Sequence, residues 1–366
     1  MVARVTMFAA LAAYVLVLGC VLAPTQSSAR APADGHSVTY ASIAPLSGLP
    51  YCGAGMQIQR VDWIDQYKKS MDEIAAIGGD TVLLVVDMRM ENGTASKIYL
   101  DMRLTPNPDQ LGSLIDHAKK RKLRVILMPI LLLDNPKGNE WRGTIKPENW
   151  EDWWQSYREA MAGHFAWIAQ AHNVDVLVVG SELVSTESKT DEWTKTIREI
   201  RQAYKGKLTY SANWDHYTSI PFWNQLDLFS TNCYYKFGDN RDVSVEQIKQ
   251  KWAEIQHDIL AYAKKIKKPF LFTEVGWCSL ANAASEPWDY TQETVPVDND
   301  LQKRLYQAFF ETWWGKSNSA GFMIWEWAPG DGGKGSEEDK RGYTPENKPA
   351  EEVLRQWLAK PRWEVK

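Results

Sequence analysis

The chain has 366 residues, 44% of them hydrophobic and 24% charged, which suits one large barrel domain or two ordinary domains with a substantial core. The formal net charge is −4 and no basic stripe is present, so we expect no nucleic-acid partner. Tryptophan is unusually frequent, with 18 residues. Indole rings on helices that pack against a barrel, or flat rings in a binding cleft, would account for this number.

Residues 1–33 are predicted to be an export signal, because residues 7–22 form an uncharged apolar run followed by small residues. Cleavage after those small residues is one reading. A second is lipidation of Cys20 after cleavage before it, since residues 17–20 (Val-Leu-Gly-Cys) resemble the lipobox of bacterial lipoproteins. An uncleaved anchor helix is a third reading, although the run is short for a bilayer span. All three predict export to the periplasm, the cell envelope or the medium.

Residues 34–49 are rich in Ser, Ala and Pro, show no helical period and are predicted to be a linker to a folded domain over residues 50–366. That domain contains Cys52, Cys233 and Cys278, and an odd number of cysteines leaves at least one free thiol. Their spacing matches no zinc motif. We therefore expect buried thiols, no metal and no cofactor.

Eight short apolar runs recur along the domain and predict strands. They are residues 55–59, 81–86, 124–129, 175–180, 207–211, 226–232, 269–273 and 321–325. Several, such as Val-Leu-Leu-Val-Val at 82–86, are continuously apolar, as expected for parallel strands covered on both faces.

Helical patterns separate most of these runs. They are residues 65–77, 109–122, 192–204, 244–266, 298–316 and 350–358. A further apolar stripe at spacings of three and four begins at Trp150, with Asn149 as its N-cap. Only a turn of helix fits between the fifth and sixth strands.

This alternation predicts an α/β fold, the closed (β/α)8 TIM barrel. A doubly wound sheet is the alternative, but it would more often show a Gly-rich phosphate loop after the first strand, and residues 57–61 contain none. In a TIM barrel, function lies at the C-terminal ends of the strands.

Two predicted strands end in a carboxylate. The fourth opens into Gly180-Ser181-Glu182-Leu183, and the seventh opens into Thr273-Glu274-Val275-Gly276-Trp277. Taken singly, either Glu could cap the next helix or pair with an arginine. Together, on strands four and seven of eight, they fit one known geometry.

These two motifs, with Ile324-Trp325-Glu326-Trp327 after the eighth strand, resemble clan A of the glycoside hydrolases and, within it, family 113. The resemblance covers nearly the whole mature chain. It implies a (β/α)8 barrel in which Glu182 is the acid/base and Glu274 the nucleophile, and it implies activity mainly on β-1,4-mannan. One departure is Ser181, because most of the clan has an Asn there that hydrogen-bonds the sugar 2-hydroxyl. A Ser reaches less far.

A retaining mechanism requires a protonated carboxyl group, which gives its proton to the leaving oxygen, and an ionised one, which attacks the anomeric carbon, roughly 5–5.5 Å apart. We therefore expect a protonated Glu182 and a lowered pKa for Glu274, with hydrogen-bond donors around the latter.

The resemblance also implies supporting roles. Tyr234, or its neighbour Tyr235, would hydrogen-bond Glu274; Trp325 would form a floor under the sugar; Arg89, after strand two, would contact the nucleophile. Further residues expected to line the cleft or form platforms for sugar rings are Asn213, Trp214, Trp141 and Trp277. The long segments 278–297 and 329–349 would shape or cover the cleft.

The sequence thus predicts a monomeric, exported, retaining glycoside hydrolase whose partner is a β-glycan, and which meets a membrane only through a lipid anchor. β-1,4-Mannan is the first substrate class; glucan, xylan and galactan are second. Two other classes remain open: a sugar-binding barrel that has lost catalysis and a structural lipoprotein. The presence of both carboxylates favours the enzyme over either.

Overall fold

The computed structural model describes residues 48–239, 241–329 and 340–365. The predicted export signal, Cys20 and nearly all of the predicted linker lie outside these residues. Among the described residues, no helix combines the length and apolarity needed to cross a membrane.

Eight parallel strands form a closed barrel in sequence order, from β1 round to β8, which pairs with β1 again. The strands are β1 (Tyr51–Ile58), β2 (Thr81–Met90), β3 (Arg124–Leu133), β4 (Val176–Ser181), β5 (Lys207–Ala212), β6 (Phe229–Asn232), β7 (Phe270–Val275) and β8 (Ser319–Ile324). The predicted (β/α)8 barrel is confirmed.

Helices cover the outside of the barrel. They are α1 (Ile64–Ala76), α2 (Pro108–Lys120), α3 (Trp150–Ala160), α4 (Ala166–Ala171), α5 (Thr190–Ala203), α6 (Val245–Ile266), α7 (Asn299–Trp313) and α8 (Pro349–Leu358). Between β5 and β6 the chain forms only the short 3₁₀ turns Tyr217–Ser219 and Trp223–Gln225, as predicted. The stripe predicted as one helix from Trp150 is interrupted by the π-helical segment Met161–Phe165.

The continuous apolar runs are explained by two separate cores. In β2, Leu83 and Val85 fill the barrel interior, whereas Val82, Leu84 and Val86 pack outward against the helices. Both faces of a strand in such a barrel are dry, so alternation of polar and apolar residues disappears. The outer core also contains most of the largest buried indoles: Trp153, Trp154, Trp193, Trp252, Trp277, Trp313 and Trp327.

The three cysteines of the described chain, Cys52, Cys233 and Cys278, are free and buried. This confirms that at least one thiol is unpaired. Burial raises the pKa of Cys278 to about 12, so that thiol stays protonated near neutral pH despite its position beside the cleft.

Candidate active site

Glu182 and Glu274 lie at the C-terminal ends of β4 and β7, on one face of the barrel, and are nearly buried, 7% and 5% exposed. Glu182 follows β4 directly and adopts a left-handed backbone with a φ of 52°. Its N–H donates to the carbonyl oxygen of Ser211 on β5 at 2.9 Å. Glu274 belongs to β7 itself. The barrel therefore brings together two carboxylates separated by about ninety residues.

The glycine of the Glu274 motif is required by a close approach of two strands. A Cβ atom on Gly276 would lie 1.8 Å from the carbonyl oxygen of Trp325. The same crossing carries the hydrogen bond from the Trp325 N–H to the Val275 carbonyl oxygen, 2.7 Å long. Any other residue at 276 would push apart the segments that carry Glu274 and Trp325.

Glu182 is held by two donors and Glu274 by one. The Arg142 guanidinium donates to Oε2 of Glu182, and the amide of Asn232 donates to Oε1. The Tyr234 hydroxyl donates to Oε2 of Glu274 at 2.6 Å. Arg142 lies in the 3₁₀ turn after β3, and Asn232 ends β6.

Burial, and then the charge of Glu182, raises the pKa of Glu274 to about 7, although the Tyr234 hydrogen bond and the Arg142 charge oppose the shift. This corrects the expectation of a lowered pKa for Glu274. The physical reason is that burial and the charge of Glu182 together outweigh the single neutral donor, Tyr234, and the charge of Arg142, which pairs with Glu182. The two carboxyl groups are thus close enough for the charge of Glu182 to act on Glu274.

A cleft of about 1410 Å³ opens above this pair. That volume exceeds the roughly 300–1,000 Å³ typical of sites for one small molecule, so it accommodates several sugar rings. Residues from both long loops line it, and the most exposed of these aromatic side chains are Trp288 and Tyr290, 43% and 68% exposed.

The two loops are tied together. The Ser279 N–H donates to the carbonyl oxygen of Arg341 at 2.9 Å, and the Tyr343 hydroxyl donates to that of Pro287 at 2.8 Å. The Arg341 guanidinium donates to the carbonyl oxygen of Gln292 at 2.6 Å. The described parts of the loops therefore form one wall of the cleft.

Most of the predicted supporting residues lie in the cleft. Its lining includes Tyr234, Trp325, Asn213, Trp214 and Trp141. Of the two neighbouring tyrosines predicted for Glu274, Tyr234 makes the contact. The hydroxyl of Tyr235 instead donates to the carbonyl oxygen of Trp214 at 3.3 Å.

Three predicted residues, Arg89, Trp277 and Ser181, do not belong to the described lining of the cleft. Arg89, expected to contact Glu274, makes ion pairs of 2.6 Å with Asp87 and with Asp134 beside the end of β3. Trp277, expected as a platform, is fully buried against Tyr306, at 5.2 Å between ring centroids.

Ser181 is 1% exposed and does not line the cleft among the described residues. Its hydroxyl has no hydrogen-bond partner in the part of the chain that the structure describes. The short Ser side chain thus leaves recognition of a sugar hydroxyl to other groups of the cleft.

Sequence reasoning missed Arg142 and Asn232, the two donors to Glu182, and the polar floor formed by Gln57, Gln59 and Glu326. Asn232 was detectable, because it ends a predicted strand as the two glutamates do. Gln57 and Gln59 belong to or follow β1 and carried the same signal. Arg142 had none, since it lies in a loop nine residues beyond the end of β3.

The model of glycoside hydrolase family 113 matches residues 54–348. A solved structure described as a β-1,4-mannanase of that family has a TM-score of 0.76 and 25% identity, with 86% of this chain and 100% of the other covered. The family 113 β-mannanase from Alicyclobacillus acidocaldarius, in complex with ManMIm, has a TM-score of 0.75 and 26% identity, with 85% and 98% covered.

A more distant structure, an enzyme of glycoside hydrolase subfamily 5_18 from Streptomyces cattleya, has 14% identity and a TM-score of 0.58, with 86% of this chain and 83% of the other covered, and shares the fold. No curated protein matches the chain in sequence. The barrel and its carboxylate-lined cleft, together with these matches, define the chain as a glycoside hydrolase. It belongs to glycoside hydrolase family 113.

Proposed function

We propose that the protein is a retaining hydrolase of a neutral β-glycan, with β-1,4-mannan first, in which Glu182 is the acid/base and Glu274 the nucleophile. The observation that carries the proposal is the pair itself: two buried carboxyl groups, on β4 and β7, close enough for the charge of one to raise the pKa of the other. The solved family 113 structures that resemble the chain are described as β-1,4-mannanases, which supports the choice of substrate.

The first chemical step uses both groups. Glu274 attacks the anomeric carbon and forms a covalent glycosyl ester, while Glu182 gives its proton to the leaving glycosidic oxygen. In the second step Glu182 removes a proton from water, and that water displaces Glu274 from the sugar. The Tyr234 hydroxyl, 2.6 Å from Oε2 of Glu274, holds the nucleophile in place during the attack.

Proton donation by Glu182 requires a change at Arg142. Both oxygens of Glu182 already accept an N–H, one from Asn232 and one from Arg142. The leaving glycosidic oxygen must approach one of these two oxygens, where one of the two donors now lies. Asn232 is fixed in β6, whereas Arg142 lies in a loop, so we expect substrate binding to move Arg142 away from Oε2.

The charge of the cleft favours a neutral polymer. Among the described residues that line it, those with carboxyl groups outnumber those with guanidinium groups: Glu182, Glu274, Glu293 and Glu326 against Arg142 and Arg341. Both guanidinium groups have protein partners, Glu182 for the first and main-chain carbonyl oxygens for the second. A polymer of uronic acids would meet net repulsion here.

Aromatic side chains line the same cleft as the catalytic pair. Trp325 forms part of the floor after β8, Trp141 is 38% exposed beside Arg142, and Trp288 lies on the loop after β7. Flat rings of this kind stack on the apolar faces of sugars. We also propose, from the sequence of residues 1–33 alone, that the protein is exported. That it acts as a monomer stays a prediction.

Purified protein incubated with soluble mannan, glucan, xylan and galactan tests the proposal. We expect new reducing ends first and fastest from mannan. A Glu274→Ala protein purified in parallel serves as the blank. Faster hydrolysis of another β-glycan would move the substrate class, and no hydrolysis of any polymer or oligosaccharide would favour the alternative of a sugar-binding barrel.

A further inference from the structure

A buried carboxyl group outside the cleft, that of Glu187, is connected by hydrogen bonds to the backbone of the acid/base candidate. Glu187 follows the 3₁₀ turn Val184–Thr186 and is 4% exposed. It does not belong to the described cleft lining, and the proposed mechanism does not use it. An ionisable side chain in such a position calls for a reason, because burial without compensation is costly.

The partner of Glu187 is Tyr210 of β5. The Tyr210 hydroxyl donates to Oε1 of Glu187 at 2.9 Å. The same hydroxyl oxygen accepts the main-chain N–H of Leu183 at 2.8 Å. Leu183 is the residue immediately after Glu182, so a chain of two hydrogen bonds connects Glu187 to the backbone that carries the acid/base candidate.

That backbone needs support. Glu182 has a φ of 52°, a left-handed conformation that residues other than glycine adopt rarely and retain only when their surroundings impose it. Two contacts impose it here. The Glu182 N–H donates to Ser211 on one side, and the Leu183 N–H donates to Tyr210 on the other. Both acceptors belong to β5.

The position of Tyr210 is itself fixed by packing. Its ring meets Trp193 and Phe222 edge to face, at 5.3 and 5.4 Å between centroids. A Cβ atom on Gly180 would lie 2.7 Å from the Trp193 ring and 3.0 Å from that of Tyr210, so strand β4 lies directly against this aromatic group. Tyr210 is therefore a rigid support rather than a mobile ligand.

Electrostatics keep Tyr210 as the donor and Glu187 as the acceptor of their hydrogen bond. Burial, and then the charge of Glu187, raises the pKa of Tyr210 well above its usual range, so its hydroxyl remains a donor. Burial raises the pKa of Glu187 to about 7, against the effects of Tyr210 and His216 and with those of Asp215 and Glu182. A carboxyl oxygen accepts the Tyr210 hydrogen in either protonation state, so the contact persists across this range.

We propose that Glu187 and Tyr210 are positioning residues that fix the direction in which Glu182 presents its carboxyl group to the leaving oxygen. This inference rests on the proposed function. It requires that Tyr210 act through the backbone at Leu183, and that Glu187 act by accepting the Tyr210 hydrogen rather than by its charge.

The test compares two substrates that differ in their need for an acid: an aryl mannoside or mannobioside with a dinitrophenyl leaving group, and an unactivated manno-oligosaccharide. In Tyr210→Phe we expect kcat/KM on the oligosaccharide to fall about tenfold to hundredfold, a part of what a general acid contributes. On the activated substrate it should stay within about twofold, because bond cleavage there needs little proton donation.

Matched variants separate positioning from loss of packing. Tyr204→Phe removes an equally buried hydroxyl that donates to the carbonyl oxygen of Val174 at 2.7 Å, at the opposite end of β4, and should leave the ratio of the two kcat/KM values unchanged. Glu187→Ala should reproduce Tyr210→Phe. Glu187→Gln keeps an oxygen that accepts the Tyr210 hydrogen, so this variant should have the same ratio of kcat/KM values as the wild type.

If the wild type is active and both Tyr210→Phe and Glu187→Ala have its ratio of kcat/KM values, this inference alone is overturned. Equal losses on the two substrates, with a lowered thermal midpoint, would overturn it too, because they show a merely structural role. A wild type inactive on both substrates would overturn the proposed function and this inference with it.

Discussion

Glu274→Ala is expected to abolish turnover on every substrate, activated or not, with kcat reduced by about 10⁴-fold or more. Without the carboxylate no covalent intermediate forms, and the oxocarbenium-like transition state loses the negative charge that faces it. Leaving-group activation cannot compensate, since the missing group is the one that attacks. Steady-state rates on an aryl glycoside and on mannan provide the measurement.

A matched control is Glu254→Ala on α6, which removes an exposed carboxylate that contacts only Lys251 in the described hydrogen bonds and ion pairs, at 2.7 Å. Its rates should equal those of the wild type. Substantial residual activity of Glu274→Ala on the activated substrate would show that another group attacks the sugar, and Glu326, on the floor of the same cleft, would be the first to examine.

Glu182→Ala is expected to behave differently on the two kinds of substrate. Hydrolysis of mannan should fall by about 10²- to 10⁴-fold, the usual contribution of general acid–base catalysis. The first step on a dinitrophenyl glycoside should survive, and the glycosyl enzyme should then accumulate, because no base activates the water. Added azide needs no base, so it should speed release and yield a β-glycosyl azide.

The pH profile adds a separate check on Glu182. In the wild type Glu274 attacks only when it is ionised, and burial and the charge of Glu182 raise its pKa to about 7, so activity should rise as the pH increases through about 7. Glu182→Gln removes both the acid and the charge that raises the pKa of Glu274. The acid limb of the residual activity on the activated substrate should therefore move to lower pH. An unchanged acid limb would show that the charge of Glu182 does not act on the nucleophile.

Much of the fold followed from the sequence because both faces of each strand are dry. The apolar runs are therefore continuous, as in residues 82–86, and their number and spacing define the barrel. The same reasoning located Glu182 and Glu274, since a carboxylate at the end of such a run has only the mouth of the barrel to occupy.

The orientation of these side chains was harder to predict. The pairing of β4 with β5 shifts register between Val178 and Ser181, and that of β7 with β8 shifts between Phe272 and Val275. Such irregularities redirect side chains that simple alternation would place on the other face. Alternation alone therefore could not show that Ser181 lies outside the cleft and Glu274 inside it.

The ion pair of Glu182, and in part the pKa of Glu274, depend on a loop residue that no sequence periodicity identifies. Arg142 pairs with Glu182 and not with Glu274, so burial and the charge of Glu182 outweigh its effect and raise the pKa of Glu274. Arg89 carried the stronger signal, directly at the end of β2, but Asp87 and Asp134 occupy its guanidinium. Which arginine meets a carboxylate depends on loop conformation, which composition and spacing do not determine.

The stereochemistry of hydrolysis tests the central claim most directly. Wild-type protein and a β-mannoside or manno-oligosaccharide would be followed by proton NMR from the first turnovers, before mutarotation mixes the anomers. Double displacement by Glu274 and Glu182 predicts that the β-anomer appears first. Initial release of the α-anomer would contradict the account, because inversion needs a water between carboxyl groups held roughly 6.5–9.5 Å apart and no attack by Glu274 on the sugar.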